Sequence, residues 1–333
     1  ATISEYPIYA QLARAQSSDI LNSTLTNDVT LIGIDGDLRR WWFATPDPVR
    51  HGTAAAGADW YRAAMENRPH RLPGQEILEG AIERLVPGGR CRDGESEWLV
   101  MNTGAHLGIW PGIAASRGCP AISLEAMPWT IPYHFVTRAI NGWQHLWTPL
   151  DGAAGNVNGN FIKISNGGHG VDDPKGNFKD HFKHLQRHGR RDDTARVRTH
   201  TLDSIKQEYA PRAAGVIAII DVEGFEQETL LGMHQLMETG ALKFAHIEVW
   251  SRLEGGKERQ RFRGLEMLLH SGYHLCLNRR ELLSAEPRMI RAVMDPICAQ
   301  DPGLRTQGPK GVVQLSKCLT DMAAWHKSVF RGC

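Results

Sequence analysis

Trp98-Leu99-Val100-Met101-Asn102-Thr103-Gly104-Ala105-His106-Leu107-Gly108-Ile109-Trp110 changes character halfway along. Its first four residues are an apolar run of strand type, and the chain then turns through Gly104 and Gly108 into the expected start of a helix. A strand, a glycine turn and a helix N-terminus together form a cradle of nucleotide type. Glycines let a ligand approach the backbone, and the first N–H groups of a helix point at it. The spacing Gly-Ala-x-x-Gly is neither the dinucleotide Gly-x-Gly-x-x-Gly nor a Walker P-loop. The competing reading is a βα turn that uses two glycines only for tight packing.

One helix and one loop further on comes a second short apolar run, Ala121-Ile122-Ser123-Leu124, ending in Glu125. An acid at the carboxyl end of the second strand can accept hydrogen bonds from a ribose diol, as it does in doubly wound nucleotide-binding folds. Downstream, Val216-Ile217-Ala218-Ile219-Ile220 is the most β-branched run of the chain, as expected of a central parallel strand covered on both faces. It brings Asp221 and Glu223 to its carboxyl end, and the next run, Phe244 to Val249, brings Glu248 to the same edge.

Five segments in this order resemble the FkbM family of S-adenosylmethionine-dependent methyltransferases. They are Val100 to Gly108, Leu124-Glu125-Ala126-Met127-Pro128, Thr201-Leu202-Asp203-Ser204-Ile205, Ile220-Asp221-Val222-Glu223-Gly224 and Ala245-His246-Ile247-Glu248-Val249, spread over residues 97 to 277. The resemblance implies an α/β fold, a Rossmann-like, doubly wound, mainly parallel sheet of seven strands. It also implies S-adenosylmethionine as cofactor and O-methylation of a sugar or other small molecule. Asn102 stands where the pattern has Asp, and His106 where it has Asn. An amide keeps the shape of a carboxylate but loses the charge that would attract the cofactor's ammonium group.

The expected cofactor contacts are Asn102, Gly104, Ala105, Gly108, Glu125, Ala126, Asp151 and Asp221. Asp151, in the run Asp151-Gly152-Ala153-Ala154-Gly155, is placed for the adenine end, with a turn residue as its plainer role. An alcohol acceptor must lose a proton, which needs a carboxylate or histidine in reach or a metal that lowers the hydroxyl pKa. The catalytic candidates are Asp221, Glu223, His169 and Glu248. Carboxylates converging at strand ends are also oxygen ligands suited to a divalent cation such as Mg²⁺, and their plainer role is hydrogen bonding to strand-end loops and helix N-termini. The alternative to an enzyme is a catalytically degenerate methyltransferase fold serving as a structural or binding subunit of a larger assembly.

Around this core the chain of 333 residues divides into a cap over 1–70, a methyltransferase domain over 71–280 and an extension over 281–333. Ser18 to Leu25 is short and polar, Leu31 to Gly36 reads as a strand and turn, Trp41 and Trp42 as core or inter-domain anchors, and Ala54 to Asn67 as helical. Gln75 to Leu85 carries Ile77, Leu78, Ala81, Ile82 and Leu85 at helical spacing, ended by Pro87-Gly88-Gly89. Pro128 to Ile140 is expected helical, His145 to Thr148 a third strand, and Asn156 to Arg198 irregular. That last stretch holds Gly167-Gly168-His169-Gly170 and a basic run from His181 to Arg191, either a solvated face or a dock for an anionic acceptor. Glu226 to Met237 and Phe262 to His270 read as helices, Tyr273 to Leu277 as a late antiparallel strand, and Leu319 to Phe330 as a final helix.

Composition is ordinary, with 41% hydrophobic and 23% charged residues, and the net charge of +1 gives no global electrostatic case for nucleic acid. No apolar run approaches a bilayer span. The six cysteines form no Cys-x-x-Cys pair, so a zinc site is not expected. Cys119 and Cys276 fall at strands and read as buried thiols, while an oxidised pair among the other four would require a secretory setting, the only one in which the sequon at Asn22 matters. The expected partner is a small-molecule or carbohydrate acceptor; oligomeric state and compartment stay open.

Overall fold

The computed structural model describes residues 29–35, 40–46, 75–91, 97–127, 130–165, 171–172, 194–250, 262–277, 280–282, 305–307, 313–315 and 319–329. Ser18 to Leu25, Ala54 to Asn67, His169 and the basic run from His181 to Arg191 lie outside them. The chain forms two compact units, Ala1–Gly152 and Ala153–Cys333.

In the first unit β1 (Val29–Asp35) and β2 (Arg40–Pro46) form an antiparallel pair. Trp41 is 1% exposed and packs against Phe43 and Trp143 at ring distances of 6.1 and 5.5 Å, whereas Trp42 is 44% exposed. Helix α1 (Gln75–Leu85) spans the expected residues and buries Leu78, Ala81 and Ile82. After it come β3 (Trp98–Thr103), α2 (Ile109–Ser116), β4 (Ala121–Glu125), α3 (Ile131–Ile140) and β5 (Trp147–Asp151). The three strands run parallel in the order β3, β4, β5. β5 starts two residues later than its sequence suggests and takes in Asp151. Asn141, closing α3, holds β2 in place: its side chain accepts from the Trp42 N–H at 2.9 Å and donates to the Trp42 carbonyl at 2.7 Å.

Cys119 is not a thiol, for it is bonded to Cys91, and Cys276 is disulfide-bonded as well. The reading as buried thiols missed this because the partner, Cys91, lies in the loop before β3. Beside this bridge the buried Arg117 guanidinium meets Glu83 at 3.0 Å and Glu79 at 3.6 Å and donates to the Gly89 carbonyl. Three acceptors at one buried cation satisfy what would otherwise be a costly charge.

The second unit begins with a four-stranded sheet where the sequence read as irregular: β6 (Ala153–Ala154), β7 (Phe161–Ser165), β8 (Val171–Asp172) and β9 (Thr194–His200), ordered β6-β9-β7-β8. Phe161 to Ile164 and Arg196 to Thr199 alternate exposed and buried, a period-two signal hidden by short length and charged outer residues. Then come α4 (Leu202–Tyr209) and β10 (Gly215–Ile220), every residue of which is buried.

The single helix expected over Glu226 to Met237 is two, α5 (Glu226–Leu231) and α6 (His234–Glu238). The break is Gly232, where a Cβ would lie 2.1 Å from the Gly155 carbonyl oxygen. The Asp203 carboxylate then caps α6, accepting the N–H groups of Gln235 and Leu236 at 2.9 and 3.0 Å.

β11 (Leu242–Trp250) runs parallel to β10, and α7 (Arg263–His270) leads to β12 (Tyr273–Leu277) and β13 (Arg280–Leu282). β14 (Arg305–Gln307) and β15 (Val313–Leu315) form a separate antiparallel pair. The final element is not a helix: β16 (Leu319–His326) lies between β11 and β12, antiparallel to both. Its Leu, Met and Ala residues favour helix locally, but seven register pairs with β11 outweigh that preference. The fold is thus α/β with a mainly parallel sheet, three parallel strands in one unit and two in the other, and β12 antiparallel as expected.

Candidate functional site

In the first unit, the carboxyl ends of β3, β4 and β5 gather most of the expected cofactor contacts. β3 ends at Thr103, and the chain turns through Gly104 (φ 69°), His106 (φ 47°) and Gly108 (φ 87°) before α2. The N–H groups of Gly104 and Ala105 both donate to the Leu124 carbonyl, at 3.0 and 3.4 Å, which ties the turn to β4. His106 has a Cβ in a left-handed conformation, at a cost of about 1–2 kcal/mol. Two side chains hold it there. Its N–H donates to Glu125 Oε2 at 2.5 Å, and its carbonyl accepts from His134 Nε2 at 2.7 Å.

Glu125 closes β4 and is 3% exposed. Its other oxygen accepts the Met127 N–H at 2.7 Å. Burial pushes its carboxyl up to about 6, and the N–H groups of Met127, His106 and Ala126 hold it from rising further. At neutral pH it is therefore an anion whose oxygens each keep acceptor capacity beyond the amide already bound. Half-buried Ala126 follows it, and Asp151 is its register partner at the end of β5.

Asn102 is 1% exposed, next to last in β3 and in register with Ser123, with its side-chain nitrogen 3.4 Å from the Thr103 carbonyl. Gly108 is needed for packing: a Cβ there would lie 2.6 and 2.7 Å from ring carbons of Trp147 and 2.8 Å from His134 Cδ2.

In the second unit, Asp221 and Glu223 follow the buried strand β10, and Glu248 comes one residue after the register pair Ile220–Ile247. One carboxylate oxygen from each of Asp221, Glu223 and Glu248 lies within 4.8 Å of the others. Burial pushes the Asp221 carboxyl far up, reinforced by its hydrogen bond to Glu248 and by the charges of Glu248, Glu223 and Glu226. Like charges this close cannot all ionise, so the Asp221 carboxyl keeps its proton at neutral pH. A divalent cation with oxygen ligands is the other group able to neutralise such a set. Buried Glu226 has a separate task, accepting the Gly224 N–H at 2.8 Å next to the left-handed Glu223.

Sequence reasoning overlooked His134, Ser123 and Trp147. A histidine on the apolar face of α3, beside Ile131 and Val136, was the available signal.

The sequence matches no family model and no curated protein. Among solved structures it is similar to a precorrin-6y C5,15-methyltransferase from Geobacter metallireducens, at 9% identity over 75% of this chain and 88% of that one, with a TM-score of 0.34. A SAM-dependent methyltransferase from Agrobacterium tumefaciens is 10% identical over 92% and 72%, with a TM-score of 0.35. The N-terminal domain of human METTL16 in complex with SAH is 11% identical over 97% and 95%, also at 0.35.

Proposed function

We propose that the protein is an S-adenosylmethionine-dependent O-methyltransferase of FkbM type, acting on a hydroxyl of a sugar or other small molecule. The observation that carries this reading is the ionised Glu125 at the end of β4, set against the glycine turn that leaves β3. A buried anion with spare acceptor capacity beside a turn is the arrangement that receives a ribose diol. Gly104, Ala105, Gly108 and Ala126 would shape the rest of that contact, with Asp151 toward the adenine.

The cofactor supplies an activated methyl group on a sulfonium. What remains for the protein is alignment and removal of one proton from the acceptor hydroxyl. Asp221 cannot accept that proton while it carries its own, so the base is Glu223 or Glu248, with His169 as the other candidate. A divalent cation in this set, Mg²⁺ by its oxygen ligands, would replace the Asp221 proton and lower the pKa of a bound hydroxyl.

The competing reading, a scaffold that keeps the fold without turnover, is favoured by buried Asn102 and by the use of the Gly104 and Ala105 amides on Leu124. Calorimetric titration with S-adenosylhomocysteine separates the two. The enzyme reading expects binding by the wild type and a loss of roughly 1.5–3 kcal/mol in Glu125→Ala, the range for a hydrogen bond to a charged group. An unchanged affinity in Glu125→Ala would remove the carboxylate from the site, and no binding by either folded protein would favour the scaffold.

A further inference from the structure

Behind the glycine turn three consecutive elements contribute one buried chain of polar groups. Trp147 of β5 donates its indole N–H to Ser123 Oγ of β4 at 2.8 Å. Ser123 Oγ lies 3.1 Å from His134 Nδ1 of α3, and His134 Nε2 lies 2.7 Å from the His106 carbonyl oxygen. Ser123, His134 and Trp147 are all 0% exposed. The two ends fix the direction of every bond between them. An indole N–H can only donate and a carbonyl can only accept. His134 must therefore carry its proton on Nε2, its Nδ1 must accept, and the Ser123 hydroxyl must donate to it. Every donor and acceptor along this path is matched, and no other tautomer allows that.

The far end of the path is the one residue of the turn that combines a side chain with a left-handed backbone. Its carbonyl accepts from His134, and its N–H donates to Glu125. The rings of His134 and Trp147 lie 5.4 Å apart and floor the turn at Gly108, where no Cβ fits.

We propose that His134, held as its Nε2–H tautomer by Ser123 and Trp147, is a positioning residue that fixes the His106 main chain and so sets the shape of the cofactor turn. A cofactor at this turn rests on the methyltransferase reading; the positioning of His106 does not. The role also accounts for His106 standing where the family pattern has Asn, since the turn is held through main-chain atoms that either residue supplies.

Two substitutions divide the imidazole between them. His134→Gln keeps a donor near the Nε2 position, and His134→Asn keeps a polar group only near Nδ1. Amide hydrogen exchange at His106 is the readout, with Ile219 in the other unit as reference. His134→Asn is expected to speed exchange at His106 by about tenfold and to weaken S-adenosylhomocysteine binding by a similar factor, as for a lost buried hydrogen bond, with His134→Gln close to wild type. Equal behaviour of the two variants, or unchanged exchange in His134→Asn, would overturn the proposal. If the wild type binds no S-adenosylhomocysteine, the cofactor reading fails while the exchange contrast still decides the positioning role. Should His134→Asn not fold, nitrogen NMR of the wild-type ring decides: a proton on Nε2 is expected, and one on Nδ1 overturns the assignment.

Discussion

Replacing Gly108 by alanine tests whether this glycine serves packing. The added methyl would lie 2.6 and 2.7 Å from two ring carbons of Trp147 and 2.8 Å from His134 Cδ2, all well inside van der Waals contact. Both rings are fully buried, so neither can swing into solvent to make room. Overpacking of this kind costs about 1–3 kcal/mol. The backbone adds its own share, since φ is 87° and a Cβ in the left-handed region costs about 1–2 kcal/mol. Gly108→Ala should therefore lose about 2–5 kcal/mol, seen as a lower urea midpoint with little change in slope. A cycle with Trp147→Phe removes the two clashing indole carbons and leaves the His134 contact, so it isolates the Trp147 part of the overpacking. That part should return as a coupling of about 1 kcal/mol or more, and the His134 and backbone shares should persist. A loss below about 0.5 kcal/mol, or additive effects in the cycle, would refute the reasoning.

Three further outcomes follow from the same geometry. Affinity for S-adenosylhomocysteine should fall as pH drops through about 6, where Glu125 takes up a proton, and Glu125→Gln should bind weakly without that pH dependence; a flat profile in the wild type would exclude the carboxylate. Glu125 titrates higher when folded than the ordinary value of 4.5, so its stabilising share is complete below that value and is lost as pH rises through about 6, opposite in direction to the affinity. Burial lowers His134 from 6.5 to about 4, so its stabilising share is present above 6.5 and lost as pH falls through 4; it amounts to roughly 3 kcal/mol, and His134→Gln should remove that part of the acid sensitivity in urea titrations. Replacing both Cys91 and Cys119 by serine should destabilise by about 2–4 kcal/mol, as opening a loop of 28 residues implies, and an unchanged urea midpoint would contradict it.

Much of the α/β frame was legible because its signals are local. β3, β4 and β10 are apolar runs covered on both faces, and α1 has its apolar residues at helical spacing, so burial and sequence pattern coincide. Long-range pairing was not legible. β16 carries helix-favouring residues and becomes a strand only because β11 and β12 offer it partners. The break between α5 and α6 depends on Gly155 and Asp203, both distant in sequence from Gly232. At the candidate site the acids were read as residue types at strand ends, and Asp221, Glu223 and Glu248 do converge. The rings that pack at Gly108 belong to His134 of α3 and Trp147 of β5, too far along the chain for the glycine motif to show them. His134 escaped notice because a histidine within a helix gives no sign of what its ring meets.

Assigned amide NMR of the wild type during titration with S-adenosylhomocysteine tests the central claim most directly, because it reports both binding and place. The account expects saturable shifts centred on residues 104–108 and 125–127, the turn and the Glu125 corner that hold each other. Shifts confined to other residues, or none at millimolar ligand in the folded protein, would contradict it.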